Sequence, residues 1–313
     1  MHTEMYSFLY CFDTNYNIQA SVSIYSLLEH VDEKIDIFII HQNSNELNIP
    51  DIIHNHKNLN LLKIYDFKNE NYIFPNIENA HVSEATYYRF FIEQYLPANL
   101  DFITYLDADI VIVKNPLTLI REHIDNLEKS NFTISVNSEP QSENEIIKLK
   151  NNSYFNAGVM LIDYKKWLKK DMLNNLVELT HKRKNDLVFW DQDVLNIYFD
   201  GEYLELSKFL NYKLDFSPYQ HEKKVNLNEN VSLIHYSGKF KPWSLKGIEN
   251  NASVYYQDNF RQLYDSSYHL SDNWKVNTLK DFFKILFSGR ILSIAFPFSL
   301  IKIVVMFLII KRK

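Results

Sequence analysis

Segments of two hydrophobic periods alternate along the first third of the chain, and this restricts the fold more than any other feature. "SFLYCF" (7–12) is a short, almost wholly apolar run, as a strand buried on both faces requires. "NIQASVSIYSLLEHV" (17–31) then places apolar residues at helical spacing. "IDIFIIH" (35–41) and "LLKIYDF" (61–67) read as the second and third strands, and "VSEATYYRFFIEQYL" (82–96) as a helix opened by a serine. "DFITYLD" (101–107) is the next strand. Strands separated by helices need crossover connections, so the alternation predicts an α/β fold with a largely parallel central sheet. Ligands of such sheets lie beyond the carboxyl ends of the strands, where Asp13, Asp107 and Asp109 fall. No internal repeat and no second domain is evident before about residue 270.

The stretch "YLDADIVIV" (105–113) raises a problem of charge. Burying a carboxylate without a partner is costly, so Asp107 and Asp109 are satisfied locally or hold something. In an extended segment the two would share a face; at a turn after a strand they would converge on one cation, and oxygen ligands suit Mg²⁺ or Mn²⁺. The bland reading is an aspartate turn bonded to its own backbone. "SLIHYSGKFKPW" (232–243) weighs against it. There a strand-like run ends at His235, a common metal-ligand type, Gly238 permits close backbone approach, and Lys241 can neutralise a phosphate.

Other stretches are ambiguous alone. In "YFNAGVMLIDYKKWL" (154–168), Asn156, Ala157 and Gly158 precede an apolar run and are read either as a sugar or pyrophosphate contact or as a turn into a strand, with Trp167 in the core. "FWDQDVLN" (189–196) puts Asp191, Gln192 and Asp193 at a helix start, where an aspartate is ordinarily an N-cap. Residues i and i+2 of a helix face different sides, so one acid touches substrate while the other packs or caps. In "CFDTNYN" (11–17), Asp13, Asn15 and Tyr16 are placed either to bond and stack on a nucleobase or to cap the first helix. Arg89 is a helix-face residue or a clamp on phosphate and sugar.

Taken in order, "CFDTNYN", "YYRF", "YLDAD", "YFNAGVMLID", "WDQDVLN" and "HYSGKFKPW" resemble glycosyltransferase family 8 over roughly residues 5 to 265. The similarity is strongest to bacterial α-galactosyl- and α-glucosyltransferases of lipopolysaccharide or lipooligosaccharide assembly. It implies a GT-A, Rossmann-like nucleotide-sugar-binding domain with a mixed, mainly parallel central sheet, and a retaining, metal-dependent hexosyltransferase acting on a glycan acceptor. By the family pattern Asp107, Asp109 and His235 are the Mn²⁺ (or Mg²⁺) ligands. Asp13, Asn15 and Tyr16 contact the uridine of a UDP-hexose, Ala108 lies beside the ribose, and Gly238 and Lys241 hold the diphosphate. Arg89, Asn156, Asp191 and Gln192 meet the donor sugar, with Gln192 near the anomeric carbon and Asp191 with it as the catalytic pair. Ser237 stands where related enzymes often carry another residue, and "YIFPNIENAHVS" (72–83) looks like a lid or acceptor loop.

An amide is a poor nucleophile. Retention is therefore expected through attack on the leaving-group face, with the departing phosphate oxygen taking the acceptor's proton. Two other classes compete with this reading. A catalytically silent nucleotide-sugar binder would have no need of the whole residue set. A metal-dependent phosphohydrolase would leave "HYSGKFKPW" without a role. The acceptor is expected to be lipid-linked, with a protein-linked glycan as the alternative.

The net charge of −6 divides into +7 from Lys275 onward and −13 before it. An acidic body argues against a nucleic-acid partner, which wants the basic surface on the folded domain. A single cysteine, Cys11, suits a reducing compartment, and "MHTEMYSFLYCF" is not a secretory signal. Residues 291–310, "ILSIAFPFSLIKIVVMFLII", are nearly all apolar. Lys280, Lys284 and Lys302 would share one face of a continuous helix, backed by Lys311, Arg312 and Lys313. The expectation is a catalytic domain over 1–270 and a helical, basic, hydrophobic membrane-associating tail over 271–313. That tail would lie on the anionic cytoplasmic face of a bacterial inner membrane, an interfacial anchor being favoured over a span.

Overall fold

The computed structural model describes residues 5–69, 72–75, 83–139, 147–151, 153–214, 227–238, 241–271 and 276–310. Most of the expected lid loop (76–82) and the terminal basic residues 311–313 lie outside them. Contacts divide the chain into two units, one of residues 1–212 with 231–233 and one of 213–230 with 234–313.

Among the described residues the first unit carries a seven-stranded sheet in the order β3-β2-β1-β4-β7-β6-β8. These strands are β1 (Tyr6–Phe12), β2 (Ile35–His41), β3 (Leu59–Asp66), β4 (Phe102–Leu106), β6 (Ile134–Glu139), β7 (Tyr154–Asp163) and β8 (Leu204–Glu205). A three-residue strand β5 (Ile110–Ile112) belongs to a separate small sheet with β10 (Leu233–His235) and β9 (Tyr212–Lys213). β3, β2, β1 and β4 run parallel, β7 pairs antiparallel with both β4 and β6, and β8 is parallel to β6. The alternation predicts a largely parallel sheet and the GT-A resemblance a mixed, mainly parallel one, which is what is found. Every residue of β1 is buried, as for a strand covered on both faces. The helix Asn17–His30 buries Ser23 and Ser26 as well as its apolar residues. Ser23 Oγ donates to Tyr10 Oη at 3.2 Å, and Ser26 Oγ accepts the Ile112 N–H of β5 at 3.0 Å.

Two sequence expectations change here. "VSEATYYRFFIEQYL" is not one α-helix but a 3₁₀ helix, Glu84–Phe91, followed by one α-turn, Ile92–Tyr95. Ser83 does cap it, accepting from Ala85 N at 3.3 Å. Tyr87, Tyr88, Arg89, Phe90 and Phe91 are consecutive and all buried, so no polar face remains to impose an α-helical period. Asn156, Ala157 and Gly158 are not a turn before a strand; they lie inside β7. Between Val136 and Asn137 the β6–β7 register shifts, pairing Val136 with Met160 but Asn137 with Asn156, so residues 157–159 face no β6 partner. This is an extended bulge.

From Leu245 onward the regular elements of the second unit are helical among its described residues. Leu245, Ile248, Tyr268, Phe282, Ile285, Ile291, Ile294, Leu300 and Val304 form its apolar core. The apolar run 291–310 is not a single helix: a 3₁₀ turn, Arg290–Ser293, is followed by an α-helix, Pro297–Ile310. Pro297 starts that helix because its missing N–H costs nothing in the first turn and breaks continuity with what precedes it. Lys280 and Lys284 belong to a different helix, Val276–Phe287, so Lys302 does not continue their face as a single helix would require. Among the described residues no helix is long and apolar enough to cross a membrane.

Candidate metal centre and donor-sugar pocket

β4 ends at Leu106 and β5 begins at Ile110, so the two aspartates occupy the turn between strands rather than a strand interior. Asp107 N donates to Gly158 O at 2.8 Å and Ile110 N to Asp107 O at 3.3 Å, closing the turn over Ala108, which is buried. Val113 N donates to Ser232 O at 2.8 Å, laying the approach to β10 beside β5. His235 closes β10. Asp107, Asp109 and His235 each offer one ligand atom, and these atoms lie within 4.8 Å of one another. Two carboxylates with an imidazole form a donor set that fits a divalent cation of the Mn²⁺ or Mg²⁺ kind.

Arg89 joins this centre to the helix start at Trp190–Phe199. The residue is 6 % exposed. Its Nε stands 2.8 Å from Asp191 Oδ2, its Nη2 donates to Asp107 Oδ1 at 3.2 Å, and its Nη1 donates to Ala157 O at 2.5 Å. The guanidinium also lies over the Tyr105 ring, 4.2 Å from its centre, and Tyr105 Oη donates to Asp107 Oδ1 at 2.6 Å. A buried guanidinium with two carboxylates satisfies the rule that buried charges come paired. Burial pushes the Asp191 carboxyl up to about 7; Arg89 opposes that rise and the Asp107 charge adds to it. Arg89 is thus buried between two carboxylates and is not an ordinary helix-face residue.

The bulge in β7 explains why Asn-Ala-Gly stands there. Released from the β6 ladder, its backbone groups are taken by site residues. Ala157 N donates to Gln192 Oε1 at 3.0 Å, Ala157 O accepts from Arg89, and Gly158 O accepts from Asp107 N. Asn156 Oδ1 accepts from Gly158 N at 3.0 Å and from Asn211 Nδ2 at 3.1 Å, turning its Nδ2 toward Gln192 Oε1, 3.4 Å away. Asn196 imitates a neighbouring strand for Phe155, accepting its N–H at 2.7 Å and donating to its carbonyl at 2.9 Å.

The two acids of "WDQDV" divide their work. Asp193 caps, its Oδ2 accepting from Val188 N at 2.7 Å and Phe189 N at 2.8 Å, while Asp191 faces Arg89. At the start of the chain, Asp13 is buried and caps the 3₁₀ turn Thr14–Tyr16 by accepting from Asn15 N at 3.0 Å. Asn15 Nδ2 donates to the same carboxylate at 3.1 Å, and Tyr16 N donates to Asp13 O at 3.0 Å. The capping explanation of "CFDTNYN" is thus realised in this structure. In the second unit, Gly238 has φ +95, a conformation that favours glycine. Lys241 Nζ donates to Tyr236 O at 2.8 Å.

Sequence reasoning missed Tyr105, Tyr154 and Gly247. A Cβ on Gly247 would collide with the Lys241 carbonyl oxygen, so this glycine lets the helix Leu245–Ile248 fold back on the "KPW" segment. Its signal was available in the scarcity of glycine, five in 313 residues. The tyrosines had no such signal among 21 of their kind.

Comparison with known proteins bears on this geometry. The model of the family "Glycosyl transferase family 8" matches residues 7–247. A glycosyltransferase GlyF of Streptococcus pneumoniae serotype 4 is 28% identical over 170 residues, 54% of this chain and 40% of that protein. A lipopolysaccharide 1,2-glucosyltransferase of Escherichia coli K12 is 31% identical over 183 residues, 55% of this chain and 53% of that protein. The chain thus spans about half or less of these two relatives. The crystal structure of the galactosyltransferase LgtC with donor and acceptor sugar analogs superposes with a TM-score of 0.64 at 19% identity, covering 86% of this chain and 98% of that one. That likeness establishes the GT-A-like α/β fold. Since the family pattern runs through "CFDTNYN", the Asp107–Asp109 turn and "HYSGKFKPW" as one continuous match, the chain belongs to glycosyl transferase family 8.

Proposed function

We propose that the protein is a retaining, metal-dependent transferase that moves glucose or galactose from a UDP-hexose to a sugar hydroxyl of a lipopolysaccharide or lipooligosaccharide core. The observation that carries this reading is the convergence of Asp107, Asp109 and His235 within 4.8 Å, with Arg89 linking Asp107 to Asp191. The name of the E. coli relative supports the acceptor class. In this reading Asp107, Asp109 and His235 hold Mn²⁺ or Mg²⁺, which when bound supplies positive charge to the diphosphate leaving group. Lys241 and the backbone at Gly238 bind the same diphosphate. Asp13, Asn15 and Tyr16 receive the uridine, and Ala108 lies beside the ribose. Arg89, Asn156 and Asp191 orient the hexose.

The acceptor hydroxyl attacks from the face that the phosphate leaves, and the phosphate oxygen takes its proton. Retention follows without a covalent enzyme intermediate. We place the catalytic machinery within residues 1–270 and read 271–313, which shares its core with Leu245, Ile248 and Tyr268, as the segment that rests on the anionic cytoplasmic face of the inner membrane. Exposed Phe283, Phe287, Leu292, Phe298 and Met306 support that placement.

The test is release of UDP by the full chain from a panel of UDP-sugars, with Mn²⁺ and with EDTA. Metal-dependent release from UDP-glucose or UDP-galactose, abolished in Asp109→Ala, is expected, and the better donor names the hexose. Release unaffected by EDTA, or no release together with no UDP binding, would contradict the reading.

A further inference from the structure

Gln192 is held by a chain of hydrogen bonds that fixes which end of its amide is used up. Its Oε1 accepts from Ala157 N at 3.0 Å. A backbone N–H can only donate, so the atom facing it is the oxygen, and this settles the orientation of the amide. Its Nε2 donates to Tyr154 Oη at 2.9 Å. Tyr154 is fully buried and passes its own proton on, donating to Asp193 Oδ1 at 2.8 Å. Asp193, 1 % exposed, is anchored in turn by the N–H groups of Val188 and Phe189 on its other oxygen. The direction of every bond follows from one fixed end: the carboxylate accepts, so the tyrosine donates to it and must accept from Gln192. One Nε2 proton of Gln192 is then left with no partner among the described residues, in a direction set by the plane of the amide.

The turn that brings this about is strained. Trp190, between the capped N–H groups and Gln192, has φ +47, where bulky side chains are rare. Such strain persists only where the surroundings hold it, as the Asp193 cap does here.

Resting on the transferase reading, we propose that Tyr154 and Asp193 are positioning residues that lock the Gln192 amide, so that it offers the donor sugar an N–H and not its carbonyl oxygen. The carbonyl is engaged by Ala157, so Gln192 is not a nucleophile toward the anomeric carbon. Its free N–H is a donor to an oxygen of the hexose or of the departing phosphate, where negative charge develops. Asp193 serves as the anchor of this chain and not as an attacking group, because both of its oxygens are already engaged.

Tyr154→Phe tests this, because it removes one oxygen and keeps the ring. Two readouts are needed on the full chain: steady-state kinetics with the UDP-hexose, and the side-chain amide signal of Gln192 in ¹⁵N-glutamine-labelled protein, assigned with Gln192→Asn. We expect kcat to fall about tenfold or more with the donor KM held within about twofold, and the Gln192 amide signal to move. A kcat within about twofold of the parent would overturn the positioning role, whatever the amide does. A fall in kcat with the amide signal unmoved would overturn the lock. If the parent chain turned over no UDP-hexose, the transferase reading would fail while the amide signal still decided the lock.

Discussion

The two sides of the central sheet solve the problem of backbone hydrogen bonding differently. From β3 through β2 to β1 and β4 the strands are parallel, β1 pairs with β2 residue for residue over Tyr6–Phe12, the register shift of β2 against β3 is confined to the strand start at Ile35–Asp36, and nearly every side chain of β1 and β2 is buried. On the other side, β7 leaves the β6 ladder at Ala157–Val159 and runs past the end of β4, whose pairing stops at Val159, and Arg89, Gln192 and Asn196 take up backbone groups of the bulge and of Phe155, which stays paired with Ser138 of β6. A regular ladder has no backbone groups to spare, so it can only be a scaffold. A broken ladder must recruit polar side chains to satisfy its orphaned groups, and those side chains are thereby brought to one place in fixed orientations.

The comparison can be broken most severely at Arg89. Arg89→Met leaves Asp191 buried without its partner, and we expect a loss of about 3–5 kcal/mol of stability together with loss of transfer. Adding Asp191→Asn should restore much of the stability and none of the activity, as read by urea unfolding and UDP release. On the regular side, Phe38→Ala removes a fully packed ring from β2 and should cost about 3–4 kcal/mol. There kcat of the folded fraction should remain within about twofold of the parent, the opposite pattern from Arg89.

A third case lies in the second unit, where a polar network is buried without any broken ladder. Tyr256 Oη and His269 Nδ1 are 2.6 Å apart, and Gln257 bonds both the N–H and the carbonyl of His269. Burial lowers the His269 pKa to about 4. Below about pH 6.5 the unfolded chain takes up a proton that the folded chain refuses. Stability is therefore full above pH 6.5 and is lost as pH falls toward 4, by about 2–3 kcal/mol. Urea titrations followed by the fluorescence of Trp243, stacked on His269, should show this slope, and His269→Phe should flatten it. The smallest effect is expected from Asn196→Ala, which strips two bonds from Phe155 and should cost about 1–2 kcal/mol. Partial loss of kcat should accompany it, since the helix carrying Gln192 is fastened there.

The parallel side was legible in the sequence because burial on both faces writes itself as continuous apolar runs, and "SFLYCF" and "IDIFIIH" became β1 and β2 within a residue. The acid turn was legible because charge in an apolar context demands a partner. Helix geometry foretold that Asp191 and Asp193 face different sides, but not that Asp191 meets Arg89 while Asp193 accepts from the Val188 and Phe189 N–H groups. The bulge in β7 was not legible: "YFNAGVMLID" reads as small residues before a strand, and only the register with β6 shows that the strand has already begun. Tyr105 and Tyr154 were hidden for a related reason. Alternating tyrosines on buried strands look like core until the partner of each hydroxyl is seen. The tail misled in detail because hydropathy does not register that Pro297 starts a new helix.

The central claim is that Asp107, Asp109 and His235 form one cation site that serves a nucleotide. Calorimetric titration of the full chain with Mn²⁺ in the presence of UDP tests it most directly, repeated on Asp107→Asn, Asp109→Asn and His235→Asn. The account expects one Mn²⁺ bound per chain, and a loss of about tenfold or more in affinity in each of the three variants. Binding of Mn²⁺ that none of the three substitutions weakens would contradict it.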